Sequence, residues 1–201
     1  MDINSIDLTT HNTGKDALIV ELLNNINFSE VVDSHLTSHT GRPPEISYGT
    51  IGKMMITNMC NDHHPLYLLD EYFEDKDLEG IFHEPIDKTK LTDDRFGVFL
   101  DRFYEAGGSK IFSLLSSNAF SKYDIVIKNI NYDTTSKVMW GNYNTGNGDE
   151  GSISITYGHS KQKRADKKQI KIGLGVANGV VVAGEPLDGN LDDKIYNNQN
   201  L

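Results

Sequence analysis

One carboxylate and three small hydroxyl side chains follow one another in the run Asp133–Ser136. Before this run, the apolar residues Ile125, Ile127 and Ile130 predict a β-strand, with Asp133 near its end. Carboxylate oxygens are the ligands that Mg²⁺ or Mn²⁺ prefers, and short neighbouring side chains leave room for water and substrate. Alternatively, Asp133 caps the turn after the strand and accepts a hydrogen bond from the backbone two residues on. The run alone is compatible with both a metal ligand and a turn.

A second group that could do chemistry is a basic segment further along the chain. Its five cations are Lys161, Lys163, Arg164, Lys167 and Lys168. They are opposed within the segment by one acid, Asp166, although the whole chain has a formal net charge of −10. Such a local inversion of charge predicts contacts to the phosphates of DNA, with binding that weakens as salt rises. The alternative is a solvated hairpin tip without a ligand.

Composition bounds the class of protein. The chain has 201 residues, of which 37% are hydrophobic, enough for one large domain or two small ones. The net charge argues against an overall basic surface but leaves room for local basic patches. The single cysteine, Cys60, excludes an internal disulfide and lies in an apolar run, which predicts a buried side chain. The chain shows no signal peptide or membrane-length apolar stretch, so we expect a soluble, cytoplasmic protein.

The elements that would position these residues fall into two regions. Residues 1–122 show helical periodicity and predict a helical N-terminal domain. Its helix pairs include pieces that could form a DNA-reading helix–turn–helix, but helix pairs are also ordinary packing units. Residues 123–201 show strand patterns from Ile125 to the Gly/Asn-rich turn at Gly141 and then at 152–157, 170–176 and 180–183, with a hairpin turn at Asn178-Gly179. The sequence therefore predicts an α+β fold in which a helical domain precedes an antiparallel meander.

Four blocks in the second region occur in a recognisable order. They are Tyr132-Asp133-Thr134-Thr135-Ser136, Tyr157-Gly158-His159-Ser160-Lys161, Lys168-Gln169-Ile170-Lys171-Ile172-Gly173-Leu174 and Glu185-Pro186-Leu187-Asp188-Gly189-Asn190. Together they resemble the front part of insertion-sequence transposases of the DDE type, in the branch whose catalytic core follows a helical N-terminal domain. The resemblance is specific from about Ile125 onward. Between Lys161 and Lys168 the chain departs from the usual block of the family, with Gln162, Ala165 and Lys167.

The resemblance implies that residues 123–201 form the opening antiparallel strands of an RNase-H-like core. Asp133 would then be the first of three catalytic, metal-binding carboxylates. Transposases of this type cut and join DNA with two Mg²⁺ or Mn²⁺ ions about 3.5 to 4 Å apart. The implied partners are the terminal repeats of the element, contacted at the DNA backbone, and a second copy of the chain or an intact transposase subunit.

The other two carboxylates of the family lie beyond the Gly189-Asn190 block. The resemblance assigns neither role to Asp188, Asp192 or Asp193, so we expect a truncated transposase that is inactive by itself and binds metal weakly or not at all. The alternative is a non-catalytic fragment that binds DNA or interferes with an intact transposase. With the later strands absent, we also expect the sheet to expose an apolar face and an unpaired edge.

Overall fold

The computed structural model describes residues 10–11, 13–36, 44–61, 63–141, 143 and 152–199. Within them the chain is a mixed α+β protein, as the sequence predicts. It divides into two compact units, residues 1–111 and residues 112–201. No helix in the described ranges is long and apolar enough to cross a membrane.

The first unit is built from helices. They are α1 (Asp16–Asn25), α2 (Phe28–Leu36), α3 (Tyr48–Cys60), α4 (Leu69–Glu74), α5 (Leu78–Phe82) and α6 (Asp93–Glu105), with short 3₁₀ turns at Leu66–Leu68 and Lys88–Lys90. The seventh helix, α7 (Gly108–Lys122), begins in this unit, and the division between the units falls within it. Side-chain caps fix the starts of α3, α5 and α6, because Thr50 N donates to the Ser47 hydroxyl at 3.0 Å, Gly80 N to the Asp77 carboxylate at 3.0 Å, and Arg95 N to the Thr92 hydroxyl.

Helices α2 and α3 pack closely because glycines remove the side chains between them. A Cβ at Gly49 would clash with the backbone and side chain of Ser29, and one at Gly52 would press on the ring of Phe28. The buried positions of α3 end at Asn58, so the expectation of a buried Cys60 is wrong. Cys60 lies in the last turn, beyond the packed face, and its side chain is exposed.

A buried ion pair joins α1 to the chain near α4. The carboxylate of Asp16 is 1% exposed and accepts from Lys76 Nζ at 2.6 Å and from Asn61 Nδ2 at 2.6 Å. Lys76 also lies over the ring of Tyr72, 4.3 Å from its centroid. Because Asp16 is shielded from water, these partners replace its hydration, and the network fixes α1 against its neighbours.

We predict that Asp16→Ala destabilises the helical unit, because it leaves the Lys76 ammonium partly buried without its carboxylate. The expected loss is about 3–5 kcal/mol in the free energy of unfolding. Urea denaturation followed by far-UV circular dichroism measures it. The matched control is Glu45→Ala, which removes exposed ion pairs to Arg95 at 3.2 Å and Lys90 at 3.7 Å and should cost less than about 1 kcal/mol. Equal losses in the two variants would show that the buried network is unimportant.

The second unit contains a three-stranded antiparallel sheet. Its strands are β1 (Asn131–Val138), β2 (Gln169–Ala177) and β3 (Val180–Leu187), in the order β1-β2-β3, followed by helix α8 (Asp193–Gln199). The predicted hairpin turn is confirmed: Asn178 and Gly179 have φ values of 50° and 80°, the left-handed conformations that a tight two-residue turn requires. The predicted third and fourth strands correspond to β2 and β3.

Helix α8 covers one face of this sheet through Tyr196. The ring of Tyr196 lies directly over Gly173 and packs edge-on against Tyr132, with 6.2 Å between the ring centroids. The opposite face carries the apolar side chains of β2. These are Ile170, Ile172, Leu174 and Val176, all half-buried. Phe112 of α7 lies near Gly184 on this face.

The strand predicted from Ile125 to the turn at Gly141 is confirmed in part, because β1 begins at Asn131 and ends at Val138, and residues 125–130 lie outside it. Asn131 pairs with Val176, one residue before the end of β2, so earlier residues have no partner strand. Val126 and Ile127 are accordingly 64% and 44% exposed. Asp133 is therefore the third residue of its strand and lies near the beginning rather than near the end.

The strand predicted at residues 152–157 is wrong. Only Thr156 pairs with the sheet, through an isolated bridge to Gln169. On that side of β2, β3 pairs with the residues from Lys171 to Ala177, so only the end of the strand at Gln169 is available. Ser154 is held instead by Asp188, whose carboxylate accepts from Ser154 N at 2.7 Å.

We predict that Gly173→Ala destabilises the second unit, because the added Cβ would overlap the ring of Tyr196. Overpacking of this kind costs roughly 1–3 kcal/mol in the free energy of unfolding. Hydrogen exchange at the amides of α8, together with urea denaturation, measures the loss. Gly184→Ala is the matched control, since its Cβ would lie 3.6 Å from Leu174, an ordinary contact. Protection of α8 that is unchanged in Gly173→Ala would contradict the packing.

Candidate functional site

Asp133 lies on the outer strand β1 with its side chain 81% exposed. Its Oδ1 accepts from the Lys161 ammonium at 3.0 Å and from the backbone N–H of Thr134 at 2.8 Å. Lys161 also donates from Nζ to the carbonyl of Thr134 and from its backbone N–H to the Ser136 hydroxyl at 3.0 Å. The start of the basic segment is thereby attached to the carboxylate strand. The structure thus brings together two groups that the sequence singled out separately.

The ionic state of Asp133 follows from these contacts. The hydrogen bond from Lys161, followed by that from the Thr134 N–H, holds the pKa of Asp133 below its ordinary value. The carboxylate is therefore charged at neutral pH and already has a cationic neighbour. The alternative of a cap on a turn after the strand is not what the structure shows, because Asp133 lies inside β1.

The next residue along β1 points to the other face of the sheet. Thr134 is 3% exposed, and its hydroxyl donates to Asp193 Oδ1 of α8 at 2.7 Å. The same oxygen accepts from Lys171 Nζ at 2.7 Å, and Lys171 also donates to the Leu191 carbonyl at 2.6 Å. Lys171, and then Thr134, lower the pKa of Asp193. This buried network connects α8 to the strand that carries Asp133.

These residues do not fit the two-metal site that the resemblance implies. A hard divalent cation takes about six oxygen ligands, and a two-metal site needs several carboxylates in one place. The described ranges contain no group of three or more His, Cys, Asp or Glu side chains that could hold a metal. A second carboxylate, that of Asp193, contacts β1, and its Oδ1 already accepts hydrogen bonds from Lys171 and Thr134. Asp133 is therefore a single exposed carboxylate that is paired with a lysine.

The middle of the basic segment is organised around Trp140. Arg164 makes a two-point ion pair with Asp166, with Nε–Oδ1 and Nη2–Oδ2 distances of 2.7 Å, and this pair lowers the pKa of Asp166 to about 2. The guanidinium carbon of Arg164 and the ammonium of Lys167 each lie 4.9 Å from the ring centroid of Trp140. Asp166 therefore compensates the charge of Arg164, but the two cations remain grouped at one aromatic ring.

Three predicted DNA-binding cations form no close ion pair among the described residues. These are Lys163, Lys167 and Lys168, none of which forms an ion pair in the part of the chain that the structure describes. Lys168 donates from Nζ to the Tyr143 carbonyl, and Lys163 is exposed in a turn with φ of 58°. The positive charge that a phosphate would meet thus lies mainly on these lysines.

Charge is distributed unequally between the two units. Residues 1–111 hold 9 Lys and Arg against 20 Asp and Glu, a net charge of −11, whereas residues 112–201 hold 10 against 9, a net charge of +1. A net charge of −11 repels a phosphate backbone. The first unit therefore carries no overall positive charge that would attract a phosphate backbone, whereas the second is close to neutral.

The family comparison concerns the first unit. The family described as Domain of unknown function (DUF4277) matches residues 9–117, just over half of the chain. The chain belongs to this family. The DUF4277 match covers α1 to α6 and most of α7 and ends before β1, so it does not include Asp133 or the basic segment. No curated protein and no solved structure matches the chain.

Sequence reasoning missed the network that joins α8 to the strand carrying Asp133. Lys171 and Thr134 are buried polar residues on the face of the sheet that α8 covers, and Asp193 joins them. The sequence did contain one signal. Lys171 lies at every second position of β2 with Gln169 and Gly173, so the three residues share the buried face of the strand. A lysine on the buried face of a strand predicts an acidic side chain close to it, but only the position of α8 identifies Asp193 as that side chain.

We predict that Lys161→Met raises the pKa of Asp133, because the variant removes the strongest hydrogen bond to the charged carboxylate. Carboxyl carbon shifts followed by NMR over a pH titration measure it. In the wild type, the lowered pKa stabilises the fold above the unfolded-state pKa of this aspartate, and the contribution is lost as pH falls through the folded value. Lys163→Met is the control and should leave the Asp133 titration unchanged. A pKa of Asp133 equal to the wild-type value in Lys161→Met would contradict the pairing.

Proposed function

We propose that this chain is a DNA-binding portion of a DDE-type transposase, with residues 112–201 forming the opening strands of an RNase-H-like core. The observation that carries the proposal is the pairing of Asp133 on β1 with the start of the basic segment, Lys161 Nζ lying 3.0 Å from its Oδ1. Asp133 corresponds to the first catalytic carboxylate in the resemblance. The basic segment would then hold a DNA backbone next to that carboxylate, and the protein would act in the cytoplasm.

Two features of the geometry support this proposal. The three strands are antiparallel and consecutive, the arrangement that the resemblance implies for the opening of the core. The basic segment also returns to β1 at both of its ends, because Lys161 binds Asp133 and the Lys168 carbonyl accepts from Met139 N at 2.9 Å. A phosphate bound by the lysines of this segment would therefore lie close to β1.

A non-catalytic role is the second candidate, and the site itself favours it for the described residues taken alone. Asp133 is neutralised by Lys161, and the described ranges hold no three-ligand metal cluster. We propose that these residues bind DNA without cutting it. The acidic helical unit would then contact a protein, such as a second copy of the chain or another transposase subunit.

The proposal predicts DNA binding that depends on the lysines of the basic segment. Fluorescence anisotropy of a labelled duplex, measured over a salt series with the full chain, should show affinity that falls as salt rises. Lys163→Ala and Lys167→Ala should each reduce the magnitude of the slope of log affinity against log salt by about one, as expected for loss of one phosphate contact.

The control for this experiment is Lys194→Ala, which removes an exposed cation on α8, outside the segment. It should leave the salt slope unchanged. Equal effects of all three substitutions would indicate attraction to the net charge of the unit rather than to the basic segment. Absence of any binding to duplex DNA at low salt would overturn the proposed function.

A further inference from the structure

Trp140 is an exposed aromatic residue that the proposed phosphate contacts do not use. It lies two residues after the end of β1, and it is 67% exposed. Its backbone neighbours are tied on both sides of the connection, since Met139 N donates to the Lys168 carbonyl at 2.9 Å and Lys168 Nζ donates to the Tyr143 carbonyl. The indole is therefore presented from an anchored backbone while most of its surface faces solvent.

Two cations accompany this ring. Arg164 and Lys167 each lie 4.9 Å from its centroid, and the Arg164 guanidinium is fixed by its two-point bond to Asp166. Cation–π contacts at exposed sites are worth only about 0.5–1 kcal/mol each, so the Lys167 ammonium can turn from the ring to a phosphate. An exposed ring flanked by a fixed guanidinium and a movable ammonium offers a flat apolar surface and positive charge in one place.

We infer that Trp140 stacks on an unpaired DNA base while Arg164 and Lys167 contact the adjacent phosphates. Proteins that hold single strands combine these two features, an aromatic platform for the base and cations for the backbone. A paired duplex buries the faces of its bases, so it can use the cations but not the ring. An acidic peptide would likewise use only the charges. The combination therefore selects an unpaired nucleotide, such as one at a strand end or in a melted DNA segment.

This inference rests on the proposed function for the presence of DNA, but it has its own readout. Trp140 is the only tryptophan of the chain, so the tryptophan emission of the protein reports on this ring alone. We would titrate the full chain with a short oligothymidine and with a duplex of the same length. The intrinsic emission and the anisotropy of the labelled DNA would be recorded together.

The expected result is that oligothymidine quenches the emission of Trp140 more strongly than duplex does. Trp140→Ala should weaken binding of the single strand roughly 5- to 150-fold, the range for loss of one base–aromatic stack, and leave duplex affinity within about twofold. Trp140→Phe should restore part of the affinity because it keeps an aromatic face. The matched control is Tyr67→Ala in the helical unit, which removes an aromatic side chain of 68% exposure and should change neither affinity.

Unchanged emission at saturating oligothymidine would overturn the inference, as would wild-type affinity of Trp140→Ala for the single strand. In either case, salt-dependent duplex binding that is lost in Lys163→Ala would leave the proposed function intact. Conversely, quenching by the single strand without any duplex binding would support the stack and contradict the proposed duplex contacts. Tighter binding of oligouridine than of oligothymidine would overturn the assignment to DNA.

Discussion

The antiparallel pairing of β1 with β2 is the constraint on which the rest of the second unit depends. Cross-strand partners share a face of the sheet, so the pairing of Asp133 with Leu174 places the carboxylate on the face opposite α8, while the pairing of Thr134 with Gly173 places the hydroxyl under that helix. A shift of one residue would exchange the two faces. The buried network of Thr134, Lys171 and Asp193 opposes such a shift, since it forms only in this register.

The two units differ in net charge and in the groups that they expose. The helical unit is held by apolar packing and by the buried Asp16 network, and it has a net charge of −11. The sheet unit is close to neutral overall, but it concentrates its positive charge in one segment next to an exposed carboxylate and an exposed indole. Family membership, which concerns the helices, and the transposase resemblance, which concerns the strands, thus describe different parts of the chain.

Sequence patterns predicted correctly those elements that are stabilised by contacts between residues close in sequence. The helix with Thr92 as its cap and the hairpin at Asn178-Gly179 depend on residues close in sequence, and both are found where the sequence predicts them. The strand predicted from Ile125 to the turn at Gly141 forms only over Asn131–Val138, and the one predicted at 152–157 is reduced to a single bridge. A strand also needs a free partner edge, and β2 offers none to the remaining residues. The pairing of Lys161 with Asp133 spans 28 positions and has no local signature, so only the fold reveals it.

The two connections of the sheet differ greatly in length, and this difference sets an order of assembly. Two residues join β2 to β3, whereas the connection from Val138 to Gln169 contains 30 residues, including the whole basic segment. A tight hairpin forms within about 1–10 μs, and closing a longer loop carries a larger entropy cost. We therefore expect β2 and β3 to fold first and β1 to join them later. In a nascent chain, Asp133 would meet Lys161 only in this late step, because that contact forms when β1 docks.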